Sequence, residues 1–308
     1  MKAIRIHQHG DSGVLIYEDA PIPSLLPDGV LIKVHSAGVN PIDWKVRMGY
    51  GNFHNAYSFP LIIGWDVSGT IEQVGPLITN FKVGDTVFAH PEIISNGAYA
   101  QYISVRGYEL ARVPSHITLQ VAAGIPMASQ TAWMAIFEKG NLQKGQKILI
   151  HGGSGSVGSF AVQFARLANA YVIATASTEN IELVKSLGAD EVMDYKTEDF
   201  SKKVSRVDLV LDLVGGQTQS KSWQVIRKGG ILVSTVGADE KAGAQFNVRA
   251  VSFGLVSNGA RLQHIGALVD AGLVRVPGSI EFPLSEAKSA HDLGESGHVS
   301  GKIILRVQ

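Results

Sequence analysis

The sequence predicts an α/β protein in which a β-rich amino-terminal region precedes a doubly wound parallel sheet. Three observations carry this. Short alternating or β-branched segments separated by turns run from Met1 to about Ala122. From Lys147 onward, strand-like and helix-like segments alternate, as they do in parallel sheets. The first of these strands runs into a turn holding Gly152, Gly153, Gly155 and Gly158.

In order, residues 2–7 and 30–36 alternate, 67–74 is β-branched and apolar, and 85–89 and 98–105 continue the series. Pro21, Pro23, Pro27 and Asp28-Gly29 break it into strands. Residues 119–137 change to an apolar helical pattern, with Pro126 near a helix start or kink and Gly140 near its end. This segment reads as the hinge between two domains.

Residues 147–151 form a buried strand, and a helix carrying Val157, Ala161, Phe164, Ala165 and Ala168 on one face follows the glycines. The spacing Gly153-x-Gly155-x-x-Gly158 matches the dinucleotide fingerprint. The first glycine permits the turn, the second lets backbone N–H groups approach a pyrophosphate, and the third lets helix and strand pack closely. The anion sits on the helix N-terminus. Gly153, Ser154, Gly155, Ser156, Val157 and Gly158 are therefore the candidate cradle.

The second strand, 171–175, ends in Ala176, Ser177 and Thr178 rather than in the carboxylate that grips a ribose 2′-hydroxyl about 20 residues past the glycines. Small hydroxyl side chains leave room for a 2′-phosphate and donate to it, which favours NADP(H). Ser177 and Thr178 also suit the N-cap of the next helix, and both roles can hold together. Glu179 would oppose the NADP reading if it turned inward. Strands at 191–193, 207–213 and 230–236 follow, so Leu213, Val214, Val236 and Gly237 fall at carboxyl strand ends, as nicotinamide-pocket walls or as loop closures. Amphipathic helices at 260–273 and 285–295 and a strand at 301–307 close the chain. That last strand either stands alone or completes the amino-terminal β region.

Composition narrows the function. A formal net charge of zero, with no run of Lys or Arg, argues against nucleic acid or an anionic membrane as partner. The chain has no cysteine, which removes disulfides, thiolate metal sites and a cysteine nucleophile. No segment is apolar for the length of a membrane span, and a soluble, cytoplasmic protein acting on a small molecule is the expectation.

Several phrases together resemble the medium-chain dehydrogenase/reductase superfamily, in its zinc-free quinone oxidoreductase branch. They are AGVNPIDWKVRMG at 37–49, PLIIGWDVSGTIEQVG at 60–75, FKVGDTVFA at 81–89, GAYAQYISV at 97–105, MASQTAW at 127–133, the glycine stretch, LGADEVMDY at 187–195 and GHVSGKIILRV at 297–307. The resemblance implies a GroES-like β-barrel domain plus a Rossmann doubly wound parallel sheet domain. Their expected limits are 1–122 for the barrel, 123–265 for the NADP-binding domain and 266–308 for a return to the barrel.

It also implies that no metal is bound. Asn40 stands where zinc-dependent members carry a cysteine ligand, and Gly64-Trp65-Asp66 where they carry Gly-His-Glu. The ten histidines are then scattered surface or core residues. By the same resemblance Asn40 and Thr131 approach the nicotinamide, Asn40 also as a catalytic candidate and Thr131 also as a substrate contact; Lys45 and Tyr50 line the substrate mouth as further catalytic candidates, and Trp65 is substrate wall or barrel core. Tyr195 packs near the 2′-phosphate. Asn180 replaces a lysine often found there, and Lys302 contacts cofactor or pairs with a carboxylate.

The implied activity is NADPH-dependent, metal-free hydride transfer to a quinone or α,β-unsaturated carbonyl compound. The alternatives are an enoyl-thioester reductase and a non-catalytic NADPH-binding sensor or scaffold of the same fold. A homodimer pairing edge strands is a further expectation, with 251–256 as edge or internal strand.

Overall fold

The computed structural model describes residues 1–50, 57–297 and 299–308. His298, within the carboxyl-terminal motif, lies outside them. The chain divides into two compact units. The first comprises Met1–Met127, Val256–Gly272 and Gly278–Gln308, and the second Ala128–Leu255 and Leu273–Pro277.

Ala3, Ile4 and Ile6 of β1 (Lys2–Ile6) are buried, on both faces of the strand, and β1 pairs antiparallel with β2 (Ile16–Asp19). β3 (Gly29–Val39) is apolar over most of its length and runs directly into α1 (Pro41–Arg47). Pro41 suits that start because its missing N–H would have had no helical partner. β4 (Leu61–Ile62), β5 (Val67–Val74), β6 (Thr86–Ala89), β7 (Tyr102–Arg106) and β8 (Leu110–Arg112) follow, then the short α2 (Leu119–Ala122). α3 (Pro126–Trp133) begins at its proline and widens into a π-type turn, Met134–Lys139, that ends at Gly140.

The second unit is wound as βα repeats: β9 (Lys147–His151), α4 (Ser156–Leu167), β10 (Tyr171–Ala176), α5 (Ile181–Ser186), β11 (Glu191–Asp194) and α6 (Phe200–Lys203). β12 (Val207–Asp212), α7 (Gly216–Ser222), β13 (Ile226–Ser234), α8 (Glu240–Gln245) and β14 (Arg249–Ser252) complete it. Its six strands are parallel, in the order β11-β10-β9-β12-β13-β14. The order reverses at β9 and β12, the switch point at whose carboxyl end such sheets bind ligands. Ile148, Leu149 and Ile150 are wholly buried there, as a strand covered on both faces requires.

The chain then returns to the first unit through α9 (Gly259–Asp270), β15 (Ser279–Pro283), α10 (Ala287–Glu295) and β16 (Lys302–Arg306). The sequence boundary at residue 265 falls inside α9, whereas the first unit resumes at Val256. The reason is local bonding: Gln263 Oε1 accepts from the Arg112 N–H (3.0 Å), and Asp270 accepts from the Ser115 N–H (2.7 Å). β16 pairs with β3 antiparallel, so the carboxyl-terminal strand completes the larger sheet, β15-β16-β3-β5-β6-β8, with β7 also on β3.

Candidate active site

In the first unit, Asn40 joins β3 to α1 and is nearly buried. Its backbone N–H donates to Asp43 Oδ2 at 2.7 Å, the return half of a capping box. Asn40 Nδ2 donates to Asp66 Oδ2 (2.9 Å), and Lys302 Nζ donates to Asn40 Oδ1 (2.5 Å) and Asp66 Oδ2 (2.8 Å). Asp66 Oδ1 accepts from the Met127 N–H at 2.7 Å. The amide, the carboxylate and the ammonium thus lock one another in place without solvent.

Around this trio lies a second chain of contacts. Asp43 is buried, which pushes its carboxyl up to about 7 against the bonds from the Asn40 N–H and the Tyr99 hydroxyl. Tyr99 donates to Asp43 Oδ2 (2.8 Å), His291 Nε2 approaches the Tyr99 oxygen (3.2 Å), and Arg47 Nη1 donates to His291 Nδ1 (2.9 Å). Arg47 ends the chain on Glu295, at 2.8 Å. Burial first, then the Arg47 charge, lowers His291 to about 3, so it is neutral with its proton on Nε2. His90 is likewise held below its ordinary value by burial, and Nδ1 meets the Trp65 carbonyl at 2.5 Å.

Trp65 is corrected by this geometry. It is fully buried, and its Nε1 donates to the Ser95 carbonyl at 3.1 Å, so it is barrel core and no substrate wall. Lys302 takes the second of its two expected roles, pairing with a carboxylate. Lys45 and Tyr50 lie towards the far end of α1 from Asn40, with the Tyr50 N–H on the Lys45 carbonyl (2.9 Å) and Tyr50 61% exposed.

In the second unit, the glycine turn meets the requirements of a dinucleotide. A Cβ on Gly153 would press on Ala174 Cβ at 3.0 Å and Val184 Cγ1 at 3.1 Å, and one on Gly158 would collide with the Gly152 carbonyl. Those two glycines serve packing. A Cβ on Gly155 would meet nothing nearer than the Gly152 carbonyl oxygen at 3.5 Å, so that surface is open to an incoming group. Gly155 is also the N-cap of α4 and has no side chain to satisfy the first-turn N–H groups. An open, uncapped start to a 12-residue helix fits a pyrophosphate. Ser154, Ser156 and Val157 surround it, half-buried.

At the carboxyl end of β10, Ser177 is buried and its Oγ accepts from Asn180 Nδ2 at 2.9 Å. Thr178 differs from expectation: its hydroxyl donates to Asp194 Oδ2 at 2.5 Å and is therefore not a spare donor. Tyr195 is 60% exposed beside it in sequence. At the end of β12, Asp212 receives the Val214 N–H (3.0 Å), the Gly215 N–H (2.8 Å), Gln219 Nε2 (2.7 Å) and Ser234 Oγ (3.1 Å). That buried carboxylate shapes the Leu213–Val214 loop, leaving Val214 exposed. Val236 and Gly237 are exposed after β13, and Thr131 is half-buried on α3 beside Gln130, whose buried amide has no partner among the described residues.

Asp43, Asp66, Asp194 and Asp212 were not singled out in the sequence as site residues. Each is a carboxylate within or just after an apolar run, and that was the available signal.

Residues 26–115 match the family described as the alcohol dehydrogenase GroES-like domain, and 187–305 the one described as zinc-binding dehydrogenase. The human NAD(P)H oxidoreductase RTN4IP1, mitochondrial, is 34% identical over 100% of this chain and 89% of its own length. The quinone oxidoreductase of Coxiella burnetii superposes with a TM-score of 0.94 at 34% identity, over 100% of this chain and 99% of that one. The chain belongs to the medium-chain dehydrogenase/reductase superfamily, in the quinone oxidoreductase branch. This reductase is similar also to the Arabidopsis thaliana NADPH-dependent alkenal/one oxidoreductase, chloroplastic, at 34% identity over 99% of this chain and 79% of that protein.

One family description names zinc, and the residues do not fit it. Asn40, buried Trp65 and Asp66 offer an amide, an indole and a single carboxylate, and the Lys302 ammonium already occupies both the amide oxygen and the carboxylate. A dication would meet that positive charge in a buried site. Among the described residues, no three His, Cys, Asp or Glu side chains cluster as a metal would need.

Proposed function

We propose that this reductase transfers hydride from NADPH to a quinone or an α,β-unsaturated carbonyl compound without a metal. The observation that carries the reading is the open, uncapped start of α4 above Gly155 in a chain of this branch. NADPH supplies the hydride at its nicotinamide ring. The residues of the chain bind and orient: the α4 N-terminus receives the pyrophosphate, and the β10 and β11 ends receive the adenosine ribose. By the family resemblance, Asn40 and Thr131 approach the nicotinamide, and Val214, Val236 and Gly237 belong to its pocket.

A conjugated acceptor delocalises the incoming charge, so alignment, exclusion of water and a hydrogen bond suffice where a simple ketone would need a Lewis acid. The buried trio of Asn40, Asp66 and Lys302 holds the Asn40 amide in one orientation. Lys45 and Tyr50 remain candidates for contact with the acceptor.

The test is NADPH oxidation by chelator-treated protein against a panel of quinones, enones, enoyl thioesters and simple ketones. Turnover of quinones or enones that survives the chelator is expected. Preference for enoyl thioesters would reassign the substrate, and tight NADPH binding with no turnover across the panel would make the protein a sensor or scaffold.

A homodimer belongs to the same reading, supported by β14, which pairs with β13 and ends the six-stranded sheet. Light scattering tests it. The expected cytoplasmic setting is also retained here. No described helix is long and apolar enough to cross a membrane, while the human and Arabidopsis relatives carry organellar names. Fractionation of the native host decides it.

A further inference from the structure

Glu179 and Lys196 face each other across the carboxyl ends of two neighbouring strands. β10 and β11 pair in parallel, with Ala176 opposite Asp194. Asp194 then ties both following turns together: Oδ2 takes the Thr178 hydroxyl (2.5 Å), and Oδ1 takes the Lys196 backbone N–H (2.9 Å). This clamp holds the Lys196 side chain towards the turn at residues 177–180, where Nζ lies 3.1 and 3.3 Å from the two Glu179 carboxylate oxygens. The Glu179 carboxylate is held down at about 2 by its own backbone N–H, by Lys196 and by the Ser177 side chain. It therefore holds an ammonium at the carboxyl ends of β10 and β11, where the reading above puts the adenosine ribose.

A cation in that place is what a phosphate monoester needs. The pair is also easily opened, because both side chains are about half exposed or more and such ion pairs contribute little. A phosphate near its dianionic form competes well for the same groups through charge-assisted bonds.

We infer that Lys196 is the cation that recognises the 2′-phosphate of NADPH, and that Glu179 is its built-in competitor, standing in for the phosphate until NADPH displaces it. The inference rests on the NADPH reading above. It gives this chain a cation for the phosphate although Asn180 fills the position where relatives of this kind often have lysine. It also assigns Glu179 a second task. With NADH there is no phosphate to displace the carboxylate, which stays on Lys196 and accepts from the ribose 2′-hydroxyl. Glu179 thus lowers the preference for NADPH over NADH, and Lys196 raises it.

The experiment is equilibrium titration of the purified full chain with NADPH and NADH, followed by tryptophan fluorescence, with adenosine 2′,5′-bisphosphate and ADP as competitors that lack the nicotinamide. Lys196→Met is expected to weaken NADPH and the 2′,5′-bisphosphate about tenfold while leaving NADH and ADP unchanged. Lys196→Arg should restore most of the loss. Glu179→Gln should move the two cofactors in opposite directions, NADPH about threefold tighter and NADH weaker. Circular dichroism and melting temperature should be unchanged, since both side chains are exposed.

A wild-type preference for NADPH that survives Lys196→Met overturns the inference and leaves the NADPH reading intact. A wild-type protein that binds NADPH and NADH equally overturns both. Glu179→Gln shifting both cofactors the same way removes the competitor role.

Discussion

At the scale of single residues, two buried groups make the account quantitative. His151, at the end of β9, meets Ser222 Oγ through Nε2 (3.0 Å) and Thr175 Oγ1 through Nδ1 (3.2 Å). The Ser222 hydroxyl donates to the Thr218 carbonyl (2.7 Å), so it accepts from Nε2–H, and Nδ1 is left without a proton. Burial lowers the His151 pKa from 6.5 to about 4. As pH falls from 6.5 towards 4, the unfolded chain binds a proton that the folded one refuses, and stability is lost. The shift corresponds to about 3 kcal/mol. Denaturant unfolding across that window should therefore show a falling stability, with a shallower slope in His151→Asn; equal slopes would contradict the assignment. In the other unit, Asp66→Asn leaves the Lys302 ammonium buried without its carboxylate. A loss of about 3–5 kcal/mol is expected, and the double variant Asp66→Asn/Lys302→Met should lose less than the sum of its parts in a double-mutant cycle.

At the scale of elements, the glycine turn separates packing from binding. Gly158→Ala forces a methyl into the Gly152 carbonyl, and about 1–3 kcal/mol of stability should be lost in thermal melts. Gly155→Ala meets no such obstacle, so its melting temperature should hold while NADPH affinity falls about tenfold or more in titration. The fingerprint strand and helix were legible because burial on both faces leaves an apolar run and close approach leaves glycines at fixed offsets. The side chains that orient the site were not. Asp66 and Lys302 are separated by more than two hundred residues, and nothing in local periodicity says that they meet. The donation of the Thr178 hydroxyl to Asp194 was hidden for the same reason: two turns adjacent in space are separated by a helix in sequence. Trp65 was left open between core and substrate wall, and only its full burial decides for core.

At the scale of the whole molecule, a discontinuous first unit makes the end of the chain essential to its beginning. β16 supplies buried Ile303, Ile304 and Leu305 to the larger sheet and Lys302 to the polar trio. A chain ending at Gly301 should lose the protease resistance of the first unit, measured by limited proteolysis; retention of that resistance would show that β3 does not depend on its partner. The later strand was readable from sequence as a strand, and its return to the first unit from the family resemblance, but its pairing with β3 was not, because register is a property of the pair. On the proposed reading the site residues are divided in the same way, with Asn40 in the first unit and the glycine turn in the second. The central claim is direct hydride transfer from NADPH to a conjugated acceptor without metal. Turnover of an enone by chelator-treated protein with NADPH deuterated at both nicotinamide C4 positions tests it directly. The account predicts deuterium at the β-carbon of the saturated product; an unlabelled product, or activity that returns only on adding zinc, would contradict it.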